Sequence, residues 1–433
     1  MCGIIGFLGG DFTNDQLSNA ILEEMSDQIV KRGPDSAGIW LDSSTKIALG
    51  HRRLAIVDLS SAGYQPMTSG SNRYVMTYNG EIYNSDEIRN ELIKSRVTVN
   101  WRGHSDTETL LAGFDAWGIR ETVSRVTGMF AIAVWDKELE QLTLIRDRIG
   151  EKPLYYGWQG SGSNKVFLFG SELKALKKHP QFINEIDRGS LALYMRYCYV
   201  PAPHSIYKGI MKVEPGTIVT VTLQESEHTT EKYWNALDVV RTGAESPFEG
   251  TVAEVTNNLD IALRKTISQQ MMADVPLGAF LSGGIDSSTV VALMQAQSSR
   301  PIKTFTIGFS ETGYNEAEFA KLVAGHLGTE HTELYVSSQD ALNVIPKLPN
   351  LYCEPFADSS QIPTFLVSSL ARHHVTVSLS GDGGDELFFG YERFQSIGKN
   401  HFLWNYPYFI RYGFRGLDKL LLNERKINEC ILA

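Results

Sequence analysis

The sequence has few cysteines, and their spacing fits neither a disulfide framework nor a zinc site. Four cysteines occur among 433 residues, and no two of them form a CxxC pair. This usage is typical of a reducing compartment. The first residues show no basic segment followed by an apolar stretch of signal-peptide length. A run of about 18 apolar residues is also missing, which argues against a membrane-spanning helix. We therefore expect a cytoplasmic protein with no membrane partner.

An excess of positive charge is absent as well. The 40 Lys and Arg residues are outnumbered by 50 Asp and Glu residues, which gives a formal net charge of −10. That balance excludes a generally basic surface, so nucleic acid is not an expected partner. Apolar residues make up 42% of the chain, which is enough for a packed core. The length is typical of about two or three domains.

Two different patterns divide the chain. Residues 1–225 contain short β-rich segments and two amphipathic helices, at 16–31 and 107–117, which indicates a layered α+β domain. The polar stretch 226–250 is interpreted as a linker. Residues 251–433 alternate helices with Val- and Ile-rich strands, which indicates an α/β domain with a doubly wound parallel sheet. The predicted strands are 4–8, 46–49, 74–78, 130–135, 142–146, 153–157 and 166–169 in the first domain, and 275–281, 302–309 and 375–379 in the second.

Cys2 is a candidate nucleophile because it follows the initiator methionine. If Met1 is removed, Cys2 carries a free α-amine, whose pKa is ordinarily about 7.7–8.0. Such an amine can take the proton from its own thiol, so one residue would supply both nucleophile and base. The alternative is a small apolar residue that begins a buried strand.

An acyl-transfer site also needs donors for an oxyanion. Asn79 and Gly80 follow the predicted strand 74–78 and offer a side-chain N–H and a backbone N–H. A plain Asn-Gly turn is the alternative. Arg53 lies in the sequence HRRL at 51–54, and its guanidinium suits a bidentate carboxylate. A solvated basic loop would explain this segment equally well.

Two glycine-rich segments follow predicted parallel strands. SGGIDSS at 282–288 opens a helix, so backbone N–H groups and the helix dipole favour an oxyanion there. No Walker A lysine motif is present, which favours pyrophosphate binding over γ-phosphoryl transfer. SGDGGDE at 380–386 places carboxylates beside a glycine turn, as Mg²⁺ sites require. Ordinary strand–helix and acidic turns are the alternatives.

Taken together, these segments resemble a known enzyme family. CGI at 2–4, RGPDSAG at 32–38, HRRL at 51–54, YNGEIYN at 78–84 and SDTE at 105–108 are similar to a class II glutamine amidotransferase domain. With SGGIDSS and SGDGGDE added, nearly the whole chain resembles the glutamine-hydrolysing asparagine synthetases. The resemblance implies an N-terminal-nucleophile αββα sandwich followed by an ATP-pyrophosphatase domain. It also implies a possible homodimer.

The resemblance implies roles in the first domain. Cys2 would attack the side-chain amide of glutamine, Asn79 and Gly80 would hold the oxyanion, and Arg53 would bind the α-carboxylate. Glu81 and Asp106 would lie near the α-amine. Water would then hydrolyse the thioester after ammonia has left. The implied glutamine-binding residues are Arg53, Leu54, Ile56, Val57, Asn79, Gly80, Glu81 and Asp106.

The resemblance implies a second reaction in the other domain. ATP would activate a carboxylate acceptor, aspartate being favoured, as an acyl-adenylate, and ammonia would reach it through an internal tunnel. Asp286 and Asp385 would hold Mg²⁺. Asp382, where the best-known synthetases have Glu, would be the base for ammonia. The implied ATP-binding residues are Leu281, Ser282, Gly283, Gly284, Asp286, Ser287, Ile307, Ser380 and Gly381.

The sequence departs from the family pattern at two places. Family members continue beyond position 433, so the second domain is expected to be incomplete at its C-terminus, without a lysine that assists adenylation. The segment EPFADSSQIPT at 354–364 has no arginine for the second carboxylate of aspartate. The open alternatives are therefore the same chemistry on another acid, such as a uronic-acid sugar, and a glutaminase or binding protein without ligase activity.

Overall fold

The computed structural model describes residues 1–10, 15–95, 99–224, 227–309, 315–391 and 394. These residues form two compact units. The first unit contains 1–277 together with 336–377, and the second contains 278–335 and the chain from 378 onward. Within the described residues, no helix is long and apolar enough to cross a membrane.

Two six-stranded antiparallel sheets dominate the first unit. Sheet 1 has the order β10-β8-β9-β1-β3-β2, and sheet 2 has the order β12-β11-β7-β6-β5-β4. The strands are β1 (Gly3–Gly9), β2 (Ser36–Asp42), β3 (Ile47–Arg53), β4 (Met67–Thr68), β5 (Tyr74–Ile82), β6 (Gly128–Asp136), β7 (Gln141–Arg146), β8 (Tyr155–Gln159), β9 (Val166–Gly170), β10 (Met211–Lys212), β11 (Thr217–Val221) and β12 (His228–Lys232).

Helices cover the outer faces of both sheets. Two further helices follow β12 along the chain. The helices of the first unit are α1 (Asp15–Asp27), α2 (Ser85–Lys94), α3 (Asp106–Trp117), α4 (Ile119–Arg125), α5 (Leu173–Leu176), α6 (Arg188–Tyr197), α7 (Ala236–Glu245) and α8 (Val252–Gln270). Three further helices, which lie between residues 338 and 372, also belong to the first unit.

Strand alternation explains the layers. On β1, Ile4 and Leu8 face sheet 2 and join a core shared by both sheets, whereas Ile5 and Phe7 pack against α1 and α5. Trp135 of β6 is fully buried in the core between the sheets. The opposite face of sheet 2 packs against α2, α3 and α4. The order of layers is therefore helix, sheet, sheet, helix, which confirms the predicted αββα sandwich.

The second unit is built on a four-stranded sheet. Its strand order is β15-β14-β13-β16, and β13 pairs with β14 in parallel, as the predicted α/β class requires. The remaining elements of the chain are β13 (Leu277–Phe280), α9 (Ile285–Ala296), β14 (Lys303–Phe309), α10 (Ala317–Leu327), β15 (Glu330–Val336), α11 (Ser338–Val344), α12 (Leu348–Leu351), α13 (Gln361–Arg372), β16 (Val377–Leu379) and α14 (Gly384–Phe388).

The end of β5 and the stretch 226–250 contain more regular structure than the sequence predicts. The strand predicted at 74–78 extends to Ile82, so Asn79, Gly80 and Glu81 lie within β5 and not in a turn after it. The cause is nine-residue pairing with β6, in which Asn79 faces Ala131 across the ladder. The stretch interpreted as a linker, 226–250, contains β12, which pairs with β11, and the exposed helix α7. The bounds 1–225 and 251–433 stay predictions.

A core substitution tests the packing of the two sheets. Phe169 of β9 is fully buried between them, so Phe169→Ala should lower the free energy of unfolding by about 3–5 kcal/mol. Tryptophan fluorescence during denaturant unfolding is the measurement, because six of the seven tryptophans lie within residues 1–234. Phe248, which is 58% exposed, provides the control Phe248→Ala, with a change below about 0.5 kcal/mol. Equal effects of both substitutions would contradict this packing.

Candidate active site

The start of β1 and the end of β5 border a cavity of about 60 Å³ in the first unit. Its lining includes every residue that the sequence assigns to glutamine chemistry in this domain. These residues are Cys2, Arg53, Leu54, Ile56, Val57, Asn79, Gly80, Glu81 and Asp106. Positions far apart along the chain therefore meet at one place.

The Cys2 thiol is held against the backbone of Leu54. Its Sγ accepts from Leu54 N at 3.4 Å and donates to Leu54 O at 3.5 Å. Burial raises the pKa of the thiol, although the Leu54 N–H opposes this effect. A thiol in this state needs a nearby base before it can act as a nucleophile.

The α-amine beside Cys2 has the properties of such a base. In the structure this amine belongs to Met1; it is largely buried, although the Met1 residue is half exposed. Burial lowers its pKa to about 6, and the nearby cations Arg32 and Lys152 act in the same direction. Removal of Met1 would transfer the terminal amine to Cys2.

Arg32 fixes the backbone of the nucleophile. Its Nε donates to Cys2 O at 2.9 Å, and its Nη1 pairs with Glu172 at 2.9 Å. Among the described residues, no acceptor lies within hydrogen-bond distance of the buried Arg32 Nη2. In the sequence, Arg32 is part of the RGPDSAG segment of the family resemblance, with no role assigned to it at this site.

Asn79 presents an unused donor to the cavity. Its side chain is 1% exposed, and no described residue offers a hydrogen-bond acceptor to its Nδ2. Gly80 beside it is required by close packing, because a Cβ there would lie 2.7 Å from Phe130 Cα. An unsatisfied buried donor costs free energy unless a ligand satisfies it. The position is suited to an oxyanion.

The guanidinium of Arg53 is held in place by a turn. Nη1 donates to Ser60 O at 2.9 Å, and Nη2 donates to Asp58 O. The residue is 5% exposed and lies over the ring of Tyr64. Since arginine has five N–H donors, these two bonds leave others for a ligand in the cavity. Arg53 is thus a buried cation in a fixed orientation and not a solvated basic loop.

Two carboxyl groups line the same cavity as Arg53. Burial raises the pKa of Glu81 to about 8, and Asp106 adds to the effect, whereas Lys152 opposes it. Burial also raises the pKa of Asp106, which accepts from the Tyr78 hydroxyl at 2.7 Å and from Ile82 N at 2.9 Å. Acids in this state gain from a cationic ligand, which would favour their charged forms.

Lys152 is a functional candidate that the sequence did not reveal. It lies between predicted strands, lines the cavity and is 6% exposed. Its Nζ lies 2.8 Å from Met129 Sδ, and burial lowers its pKa. A lysine in a loop carries no sequence signal for this position, since its burial depends on contacts with distant residues.

The SGGIDSS segment forms a compact loop in the second unit. Ser282 Oγ lies 2.9 Å from Ser287 Oγ, and Gly284 N donates to Ser282 Oγ at 3.3 Å. α9 begins within this segment, at Ile285, directly after Ser282, Gly283 and Gly284, and Asp286 lies in its first turn. Leu281 is buried before the loop, and Gly283 has a φ of +81°. The strand–loop–helix context predicted for pyrophosphate binding is present.

The SGDGGDE segment packs against that first turn of α9. A Cβ at Gly381 would lie 2.7 Å from Ser287 N, and one at Gly384 would lie 2.9 Å from Asp286 Cβ. The Asp286 carboxylate therefore lies against the residue that precedes Asp385. Within the described ranges, no group of three or more His, Cys, Asp and Glu side chains could hold a metal ion. Two carboxylates fit Mg²⁺ when phosphate oxygens complete its coordination.

The other predicted residues of the second unit lie on or beside the same strands. Ile307 is on β14, next to β13. Ser380 follows β16, and its Oγ donates to Asp382 Oδ2 at 2.9 Å. Asp382 is exposed, and nothing else in the described structure assigns it a role.

Comparison with known families gives two matches along the chain. Residues 1–234 match a family described as glutamine amidotransferase domain, and residues 258–428 match a family described as asparagine synthase. The first match includes every residue that lines the cavity at Cys2. The second includes the SGGIDSS and SGDGGDE loops.

Individual proteins are similar over most of the chain. Bacillus subtilis asparagine synthetase 1 (glutamine-hydrolyzing) is 37% identical over 90% of this chain and 59% of its own length. A Methanocaldococcus jannaschii protein, provisionally named asparagine synthetase 2 (glutamine-hydrolyzing), is 34% identical over 95% and 79%. The chain thus spans 59% of the Bacillus relative. A solved B. subtilis glutamine phosphoribosylpyrophosphate amidotransferase shows 16% identity and a TM-score of 0.39, over 77% of this chain and 65% of that one, which supports no conclusion.

The raised pKa of Glu81 makes stability depend on pH. An unfolded Glu releases its proton near pH 4.5, whereas folded Glu81 keeps it up to about pH 8. The folded state therefore binds more protons in this window, and stability falls as pH rises. Glu81→Gln has no carboxyl proton to lose. From pH 5 to pH 8, the free energy of unfolding of the parent should therefore fall relative to that of Glu81→Gln by about 3 kcal/mol.

Denaturant unfolding followed by tryptophan fluorescence at pH 5, 6.5 and 8 measures this effect. Glu138→Gln is the matched control, because the Glu138 side chain is 66% exposed. Its stability curve should run parallel to that of the parent. A parallel curve for Glu81→Gln would show that Glu81 is ionised throughout and would contradict the assignment.

Proposed function

Because the chain belongs to the family of glutamine-hydrolysing asparagine synthetases, we propose that it catalyses glutamine-dependent, ATP-driven amidation of aspartate to asparagine. Glutamine is hydrolysed at Cys2, and the ammonia is consumed at the nucleotide loops of the second unit. The observation that carries the first half is the unused donor of Asn79 in the cavity of Cys2. The second half is supported by the SGGIDSS segment, within which α9 begins.

The chemistry at Cys2 follows from the groups around it. After removal of Met1, the α-amine of Cys2 takes the thiol proton, and the thiolate attacks the side-chain carbonyl carbon of glutamine. Asn79 Nδ2–H and the Gly80 N–H donate to the oxyanion. The proton then passes to the leaving nitrogen, the C–N bond breaks, and ammonia leaves a glutamyl thioester. Water hydrolyses this thioester, which gives glutamate and restores the thiol.

The charges of the cavity are complementary to a free amino acid. Arg53 binds the α-carboxylate, since its guanidinium is buried and fixed by two backbone carbonyls. Glu81 and Asp106 receive the α-ammonium, and a cation between them lowers both raised pKa values. Without a ligand, the positive charge of Lys152 lowers the pKa of Glu81 and so partly offsets the effect of burial. A peptide-bound glutamine lacks both charges and would be rejected.

The second unit is suited to ATP. Backbone N–H groups of the SGGIDSS loop and the N-terminus of α9 favour a pyrophosphate, and Leu281 and Ile307 border the adenosine. Asp286 and Asp385 would hold Mg²⁺, which neutralises charge on the phosphates. Asp382 would accept a proton from the incoming ammonium. The cytoplasmic location and the homodimer stay predictions from the sequence.

Aspartate is the acceptor that we favour, and another carboxylate is the alternative. The segment that follows Cys353 favours the alternative, because it offers no cation for a second carboxylate. There Glu354 is already bound within the first unit, accepting from Ile206 N at 2.8 Å and pairing with Lys212. The following residues up to Thr364 contain no arginine. Pyrophosphate release with free ammonia, measured with aspartate and with a uronic-acid sugar, decides between these acceptors.

Asn79→Ala tests the oxyanion site. Loss of one such donor should lower kcat for glutamine hydrolysis by about 10²–10³, with a smaller change in KM, because the donor acts mainly on the transition state. Glutamate formation is the assay. Asn164→Ala is the control, since Asn164 is exposed, and its kcat should match that of the parent. A large rise in KM with unchanged kcat would mean that Asn79 binds substrate and does not stabilise an oxyanion.

A reciprocal pair of variants tests the division into two reactions. Cys2→Ala should abolish glutamine-dependent product formation and retain ammonia-dependent formation, because it loses the ammonia source alone. Asp286→Ala should abolish pyrophosphate release and retain glutamine hydrolysis. Equal loss of both activities in either variant would contradict the assignment. Glutamine hydrolysis without pyrophosphate release from any acid in the parent would indicate a glutaminase without ligase activity.

A further inference from the structure

Asp274 lies outside the predicted amidotransferase domain but contacts a loop of its cavity. It belongs to the segment that joins α8 to β13. Asp274 Oδ2 accepts from Asp58 N at 2.8 Å and lies 2.8 Å from His104 Nε2. Asp274 N donates to Ile56 O at 2.9 Å. Two of these bonds connect Asp274 to the segment 54–60, which includes the cavity residues Leu54, Ile56 and Val57, and the third connects it to His104.

Asp58 is the centre of the turn that holds Arg53. It is 2% exposed and has a φ of +56°, a conformation that a non-glycine residue adopts only with support from its surroundings. Its carboxylate accepts from Ser60 Oγ at 2.5 Å and from His104 N at 2.9 Å. Its carbonyl oxygen accepts from Arg53 Nη2. The backbone N–H of Asp58 is satisfied by Asp274.

His104 extends the same network to the start of α3. Its imidazole lies between the carboxylates of Asp58, at 3.7 Å, and Asp274, at 2.8 Å. The next residue, Ser105, lines the cavity and caps α3, whose first residue is Asp106. Asp274 is therefore connected both to the residues that orient Arg53 and to the segment that carries Asp106.

We propose that Asp274 is a positioning residue for glutamine: it holds the Asp58 turn, which orients Arg53 toward the α-carboxylate. The inference rests on the proposed function of the cavity. It means that affinity for glutamine depends on a residue beyond the amidotransferase domain predicted at 1–225. Asp274 touches neither Cys2 nor Asn79, so its loss weakens binding and leaves the chemical step intact.

Calorimetric titration with L-glutamine tests this role in a Cys2→Ala background, where no turnover occurs. Asp274→Ala should weaken binding about tenfold, the usual effect of losing a hydrogen bond to a charged group. Asp274→Asn should lose less, because its amide oxygen still accepts from Asp58 N. Asp260→Ala is a matched control, since the Asp260 side chain is 44% exposed, against 43% for Asp274, and pairs with Arg264 on α8. It should bind glutamine as tightly as the parent background.

Two further measurements separate positioning from general destabilisation. With Cys2 intact, Asp274→Ala should raise KM for glutamine about tenfold and leave kcat within about twofold. Amide hydrogen exchange should accelerate in 54–62 and stay unchanged in 74–82. Faster exchange in both segments would indicate overall loosening and would overturn the proposal. If Asp274→Ala does not fold, weaker binding by Asp274→Asn supports the role and parent-like binding overturns it.

The outcomes also separate this inference from the proposed function. Unchanged affinity in Asp274→Ala overturns the positioning role, whatever the activity of the parent. Weaker affinity in the variant, combined with no glutamine hydrolysis by the parent, supports the positioning role and refutes the proposed reaction. If the Cys2→Ala background itself binds no glutamine, both are refuted.

Discussion

The stacking of two antiparallel sheets determines where chemistry can occur in the first unit. Because β1 belongs to one sheet and β5 to the other, their stacking brings the second residue of the chain beside Asn79 and Gly80. The core between the sheets keeps these strand ends in register, with Ile4 and Trp135 fully buried in it. Neither strand alone would create a site, since the thiol and the oxyanion donors come from different sheets.

The cavity combines charged groups of both signs. Arg53 and the carboxyl groups of Glu81 and Asp106 all line it, and burial raises the pKa values of both carboxyl groups. Under the proposed function, a zwitterion would bring an anion to Arg53 and a cation to the carboxyl groups. The same arrangement would disfavour ligands that carry one charge.

Sequence patterns predicted the layers of the fold and the local motifs, and the reasons are local. The β-rich segments and the strand–helix context of SGGIDSS depend on neighbouring residues, so they can be seen without a structure. The end of β5 was misjudged because Asn and Gly ordinarily break strands, whereas here pairing with β6 continues to Ile82.

The missed residues share a different property. Arg32 and Asp274 form hydrogen bonds with the distant positions Cys2 and Asp58, and Lys152 acts electrostatically on Glu81. No periodicity or spacing marks such residues, since these interactions arise only in the folded unit. The assignments of Asp382 and of the acceptor pocket stay predictions for a related reason: they rest on resemblance, and the fold adds no contact that decides them.

The Met1 side chain borders the same cavity as Cys2. While Met1 is present, it borders the space that the proposed function assigns to glutamine, and the terminal nitrogen lies one residue away from the thiol that it would activate. Removal of Met1 by an aminopeptidase would clear this space and place the terminal amine on Cys2. The amount of active protein in a cell would then depend on the rate of this cleavage. Protein from rapid overexpression would contain an inactive fraction that still carries Met1.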